Sequence, residues 1–127
     1  MSAIITIDGI APREVLNLSY SIYQETDGEG RPTAISRGGM VNVVVKALND
    51  GNKEFFAWAC DPYTSKNGKI EFQKRDGTNM KTLNITDAYL VSWDENYDSV
   101  SGMSQQEVFT ISAKKIEIGG VFHENNW

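Results

Sequence analysis

Apolar and polar residues alternate with a period of two along most of this chain, and the alternating runs are separated by Asp-Gly and Asn-Gly pairs. A period of two puts every second side chain on one face of a strand, so the runs read as strands with one buried face. The pairs Asp8-Gly9, Asp27-Gly28, Asp50-Gly51, Asn67-Gly68 and Asp76-Gly77 suit tight turns in which φ is positive. Leu16, Leu18, Tyr20 and Ile22 alternate with Asn17, Ser19 and Ser21, which predicts a strand with the four apolar residues inward. Val41, Val43 and Val45 alternate with Asn42 and Val44, a strand apolar on much of both faces, and Ile70 and Phe72 mark a shorter one. Leu83, Ile85, Tyr89, Val91 and Trp93 share one parity, interrupted by Asp87, with Ala88 and Leu90 on the other. The last strand starts with Phe109, Ile111 and Ala113 on one face and changes parity to Ile116 and Ile118. Either a bulge near Lys114-Lys115 or a strand that passes from one packing partner to another accounts for the change. Two long loops remain, Glu25 to Gly39 and Asn96 to Gln106.

One segment departs from the alternation. Asn52 to Cys60 places Phe55, Trp58 and Ala59 at i, i+3 and i+4, follows Asn49-Asp50-Gly51, and is stopped by Asp61-Pro62. This spacing predicts a short helix over residues 52–60, with Asn49 or Asp50 as cap, Glu54 in the first turn and an apolar stripe leaning on or plugging a β-barrel. The expected class is therefore mainly β with one short helix, in a single domain spanning residues 1–127.

Composition limits the chemistry. Among 127 residues there is one His and one Cys, which rules out an intramolecular disulfide and any multi-thiolate zinc site. A Ser-His-Asp or Cys-His site would need His123 as its base, four residues from the end, where a surface or packing role is the simpler reading. Cys60, with no basic neighbour to lower its pKa, reads as a buried small hydrophobe. Asp94, Glu95 and Asp98 lack the Asp-x-Asp-x-Asp-Gly order of a calcium loop and read as a solvated hairpin tip. Gly28-Glu29-Gly30 lacks the third glycine of a dinucleotide loop. No catalytic residue, metal ligand or cofactor site is assigned, and the chain is not read as an enzyme. Seventeen acids against twelve bases give a net charge of -5, which repels nucleic acid and anionic membrane. Met1 to Asp8 has no basic n-region and too short an apolar run for a signal or a membrane span, which predicts folding in the cytoplasm.

Arg31-Pro32-Thr33-Ala34-Ile35-Ser36-Arg37-Gly38-Gly39 stands out as an extended stretch with two arginines and no local partner. Pro32 biases Arg31 toward extended backbone, and Gly38-Gly39 permits a bulge or a close approach of backbone. Pairing with another chain and a solvated surface loop both fit this composition.

Several fragments in fixed order resemble the tube-forming Hcp (TssD) proteins of type VI secretion systems, in the branch typical of Bacteroidota. They are Leu18-Ser19-Tyr20-Ser21 with Gln24-Glu25-Thr26-Asp27, Gly30-Arg31-Pro32, Arg37-Gly38-Gly39, and Phe56-Ala57-Trp58 with Asp61-Pro62. Lys74-Arg75-Asp76, Thr86 to Val91, Phe109 to Ile116 and the terminal His123-Glu124-Asn125-Asn126-Trp127 follow. The resemblance runs from about residue 14 to the end. It implies a compact β-barrel of two antiparallel sheets with one short helix, assembled as a homohexameric ring. Rings would stack into a tube inside a sheath, with spike and baseplate proteins as further partners. Sheath contraction would propel the tube, with effector proteins, out of the cell or into a target cell. It also implies that the loop bearing Arg31, Pro32, Thr33, Ile35, Arg37, Gly38 and Gly39 reaches a neighbouring subunit or ring. The polar strand positions Asn17, Ser19, Ser21, Glu71 and Gln73 are candidates for a lumen lining. The alternatives are the tube of a related phage-like injection device, and a small-ligand barrel with a cavity lined by Tyr20, Tyr89 and Trp93.

Overall fold

The alternating runs pair in one antiparallel ladder that closes on itself. The computed structural model describes residues 2–24, 26–32, 38–46, 53–97 and 105–125. Its elements are β1 (Ser2–Ile7), β2 (Arg13–Tyr20), β3 (Met40–Lys46), α1 (Glu54–Ala59), β4 (Lys66–Gln73), β5 (Asn79–Tyr97), β6 (Gln105–Ile118) and β7 (Val121–Glu124). Neighbours run in the order β3-β2-β1-β4-β5-β6-β7, and a further β3–β6 pairing closes β1 to β6 into a six-stranded barrel with β7 as an appendage. This is the expected β-barrel with one helix.

The barrel is filled by the residues that the period of two selects. Val41, Val43 and Val45 of β3, Ile70 of β4, Leu83 and Ile85 of β5, and Phe109, Ile111 and Ala113 of β6 are all at most 1% exposed. Each large apolar side chain so buried contributes about 1.5–3 kcal/mol against leaving it in water.

Three details differ from the alternation. In β2 the register shifts between Val15 and Asn17, so Leu16 is turned outward at 37% exposure and the inward positions become Arg13, Val15, Leu18 and Tyr20. Ile22, expected inward, lies beyond the strand and is exposed. In β5 the buried parity changes at Asp87, which has a φ of 50°, so Ala88 and Leu90 face the core while Val91 is 55% exposed. The β5–β6 register runs without a shift from Leu83↔Ile118 to Leu90↔Ile111, so both strands turn their faces over at one level. No extra residue is inserted at Lys114-Lys115. Instead β6 exchanges its other neighbour there, pairing with β3 over Gln106–Ser112 and with β7 over Lys115–Ile118. The second long loop is also shorter than expected, because Asn96↔Gln106 and Tyr97↔Gln105 extend the β5–β6 hairpin.

The helix forms over Glu54–Ala59 and buries Phe55 and Trp58 as its spacing requires. Its N-cap is Lys53, which makes no side-chain cap; Asn49 and Asp50 lie outside the described residues. The Glu54 carboxylate instead accepts from the N–H of Ala11 in the β1–β2 turn, at 3.1 Å, tying α1 to the barrel. Cys60 is exposed rather than buried, because the C-cap position it occupies falls past the inward stripe. After the helix, Asp61 accepts from the Thr64 hydroxyl and the Tyr63 N–H, which holds its carboxyl below the usual carboxylate range.

Under α1 lies a buried ion pair. Arg13 Nη2 donates to Glu107 Oε2, with side-chain exposures of 0% and 4%. The Arg13 Nε and Nη2 also donate to the Lys46 carbonyl at 3.2 and 3.0 Å, and Trp93 Nε1 donates to Glu107 Oε1 at 3.2 Å. The guanidinium sits 5.4 Å from the centroid of Phe55, whose ring stacks on Phe109 at 4.5 Å. β2, β3, β5, β6 and α1 thus converge on one charge pair.

Candidate assembly interface

The long loop between β2 and β3 is anchored at both ends. At its start a bridge pairs Thr26 with Pro32, the Asp27 N–H donates to the Arg31 carbonyl at 2.9 Å, and Asp27 Oδ1 accepts from the N–H groups of Glu29 and Arg31. Arg31 and Pro32 are exposed. Thr33, Ala34, Ile35, Ser36 and Arg37 lie outside the described residues.

Gly38 and Gly39 then press against β6 and the C-terminal segment. Gly39 has a φ of 93°, and a Cβ there would run into the Ala113 carbonyl oxygen and stand 2.7 Å from Asn125 Nδ2. The Ala113 N–H donates to the Gly39 carbonyl at 2.7 Å. The close backbone approach expected at Gly38-Gly39 is therefore real, and only glycine has both the conformation and the room. Asn125 completes the contact: its Nδ2 donates to the carbonyls of Gly38 (3.0 Å) and Ala113 (3.1 Å). With both amide hydrogens so directed, Oδ1 is an acceptor, and His123 Nε2 donates to it at 3.0 Å. The sole imidazole, 7% exposed, is thus part of a structural clamp. Periodicity carries no signal for this clamp; only the His123-Glu124-Asn125 fragment of the family resemblance pointed to the segment.

The polar strand positions do not share one surface. Asn17 and Ser19 point outward from β2, and the ladder aligns Ser19, Asn42 and Thr110 across β2, β3 and β6, with Ser92 beside Thr110 on β5. Thr110 Oγ1 donates to Asn42 Oδ1 at 2.8 Å within that row. Ser21 lies just past β2 and is exposed. Glu71 and Gln73 belong to another stretch of wall, opposite Ile4 and Ser2 of β1, where Glu71 pairs with Lys69 at 3.3 Å.

The wall β2-β3-β6-β5 has open margins. β2 meets β1 only at Arg13 and Glu14, and β4 follows β5 only as far as Lys66↔Ala88. Among the described residues, Asn17–Tyr20 and Leu90–Tyr97 therefore have ladder partners on one side only.

Tyr20, Tyr89 and Trp93 do not enclose a common cavity. Tyr20 lines a groove of about 190 Å³ with Ile22, Leu83 and Phe122, whereas Tyr89 lines an open cleft of about 510 Å³ beside Ala59, Pro62 and Val91. Trp93 packs edge-on against Phe56, and the barrel interior is occupied by the core.

Fold and surface together define a closed β-barrel whose distinguishing parts are a tethered loop and open strand margins. The family model for hemolysin coregulated protein Hcp (TssD) matches residues 1–127. The chain belongs to the Hcp (TssD) family, tube proteins of the type VI secretion system. Hcp1 from Flavobacterium johnsoniae is 38% identical, with a TM-score of 0.90 over 98% of this chain and 100% of its own. Hcp1 from the E. coli EAEC 042 pathovar shares the fold at 12% identity, with a TM-score of 0.76 over 99% of this chain and 97% of its own. The same fold occurs in the anti-feeding prophage (AFP) baseplate, at 15% identity and a TM-score of 0.59 over 94% of this chain and 92% of that one. No curated protein matches the chain. Among the described residues no helix is long and apolar enough to cross a membrane.

Proposed function

We propose that this chain assembles into a six-membered ring whose rings stack as the inner tube of a type VI apparatus and carry effector proteins in the lumen. The observation that carries this reading is the four-stranded wall β2-β3-β6-β5, with one open strand margin at each side. A heterologous contact that closes into a ring joins two different surfaces of one chain, and Leu90–Trp93 on the β5 margin of one subunit against the equally long Asn17–Tyr20 on the β2 margin of the next is such a pair. Twenty-four strands spaced about 4.8 Å apart make a circumference of about 115 Å and a diameter of about 37 Å between backbones. A small domain, about 30 Å across, is of similar size.

In this arrangement the row Ser19, Asn42, Thr110 and Ser92, with Asn17, lines the lumen. Glu71 and Gln73, on the other wall, face away from it. Short hydroxyl and amide side chains give a lining with no shaped pocket, which suits cargo of varied sequence. The tethered loop, with Arg31 and Arg37, reaches a neighbouring subunit or ring. A charge of -5 per subunit keeps the protein dispersed in the cytoplasm before firing, where sheath, spike and baseplate proteins meet it.

Sedimentation velocity and negative-stain micrographs of the pure protein test the reading. Six copies of 14.1 kDa give a ring of about 85 kDa. A strict monomer across the micromolar range would overturn it. Replacing Arg37 with Glu is expected to weaken ring or stack formation while leaving the circular dichroism spectrum unchanged; unaltered assembly would remove the loop from the interface.

A further inference from the structure

β5 connects two hairpins that differ in charge. Residues 74–81, the β4–β5 turn and the start of β5, read Lys-Arg-Asp-Gly-Thr-Asn-Met-Lys, with three bases and one acid. Residues 94–97 and 105–106, at the far end of β5 and the start of β6, contain Asp94 and Glu95 and no Lys or Arg. Lys74, Arg75 and Lys81 are exposed and form no ion pair among the described residues, and Asp94 and Glu95 are exposed in turn.

The basic turn is closed by backbone hydrogen bonds. The Lys74 N–H donates to the Thr78 carbonyl at 2.8 Å and the Gly77 N–H to the Lys74 carbonyl at 3.0 Å. Its acid is engaged within the turn, since Asp76 Oδ1 accepts from the Thr78 hydroxyl at 2.6 Å and the Thr78 N–H at 3.0 Å. At the other end the Gln105 amide donates to Glu95 Oε1 at 2.6 Å, across the hairpin. Each end also presents one exposed apolar side chain beside its charges, Met80 at 47% and Tyr97 at 71%.

We infer that the Lys74-Arg75-Lys81 end docks on the Asp94-Glu95 end of a second copy of this chain in the next ring, so that charge sets a head-to-tail stacking direction. The inference rests on the tube reading above. Stacking requires two different surfaces that meet without closing. Opposite charge on those surfaces attracts head to tail, while head-to-head and tail-to-tail contacts set like charges together. Met80 and Tyr97 give the contact an apolar centre, since a thioether packs well against an aromatic ring. One exposed pair is weak, but a ring presents six copies at once, and the contact is sensitive to salt.

The experiment uses the full chain and two charge reversals on exposed positions, Lys74→Glu with Arg75→Glu, and Asp94→Lys with Glu95→Lys. Sedimentation velocity and side views in negative stain report ring formation and stacking separately. Wild-type rings are expected to stack in about 0.1 M salt and to separate in about 1 M, where the screening length falls from about 10 Å to about 3 Å. Each variant alone is expected to keep its rings and to stack at least tenfold more weakly. An equal mixture is expected to stack again, because every contact in an alternating array is once more of opposite sign. Unchanged stacking by either variant, no recovery on mixing, or wild-type rings that do not stack in 0.1 M salt would overturn the inference. Failure of the wild-type chain to form rings at all would instead overturn the tube reading on which it rests.

Discussion

Replacing Glu107 with alanine is expected to lower the stability of the fold by about 3–5 kcal/mol, because it strands the Arg13 guanidinium in the interior. Arg13 is 1% exposed, so water from bulk does not replace the lost carboxylate, and its Nη1 already has no partner among the described residues. Trp93 Nε1 would lose its acceptor in the same change. The double replacement Arg13→Met with Glu107→Leu is expected to recover most of the loss, since a buried pair exchanged for packed apolar groups is close to neutral or stabilising. Urea unfolding at a single protein concentration measures both, because assembly makes apparent stability depend on concentration. A loss below about 1 kcal/mol for the single change would contradict the arrangement. So would a double variant no better than the single one.

Gly39→Ala is expected to cost about 3 kcal/mol or more, a fall of about 10 °C or more in Tm. Three effects add. An L-residue in left-handed backbone costs about 1–2 kcal/mol. The new Cβ collides with the Ala113 carbonyl, which is ladder backbone and cannot swing aside. The hydrogen bond from the Ala113 N–H to the Gly39 carbonyl is then distorted, at about 1 kcal/mol. Gly77→Ala separates the first effect from the others, since Gly77 has a φ of 87° and a methyl group there would meet nothing within 4 Å. It is expected to cost only about 1–2 kcal/mol. Thermal unfolding of the two variants side by side checks this, and equal losses would show that Gly39 is held by conformation alone. Faster amide exchange at Ala113 in the Gly39 variant would place the damage at the loop's anchor.

The two sites differ in how far the residues themselves announced them. Glu107 has the same parity as Phe109, Ile111 and Ala113, so an acid on a core face was visible in the chain, and an acid there needs a buried cation. Its partner was hidden by the bulge after Val15, which makes Arg13 and Val15 inward and Leu16 outward. At the loop, Gly38-Gly39 signalled a close approach, but what approaches is the Ala113 carbonyl and the Asn125 amide, seventy-four and eighty-six residues beyond Gly39. No local pattern ties such positions together.

Read alone, the sequence determined the class of fold, the single short helix, the core valines of β3 and the lack of parts for nucleophilic or metal chemistry. These are local matters: the period of side chains along a strand, the spacing of a helix stripe and the count of reactive groups need no knowledge of partners. Strand pairing in three dimensions set which faces turn over at Asp87, that β6 passes from β3 to β7, and that the polar positions of β2 and β4 lie on different walls. It also decided which strand margins stay open. Those features follow from which strand pairs with which, and pairing joins residues far apart in the chain through backbone hydrogen bonds that carry no side-chain signature.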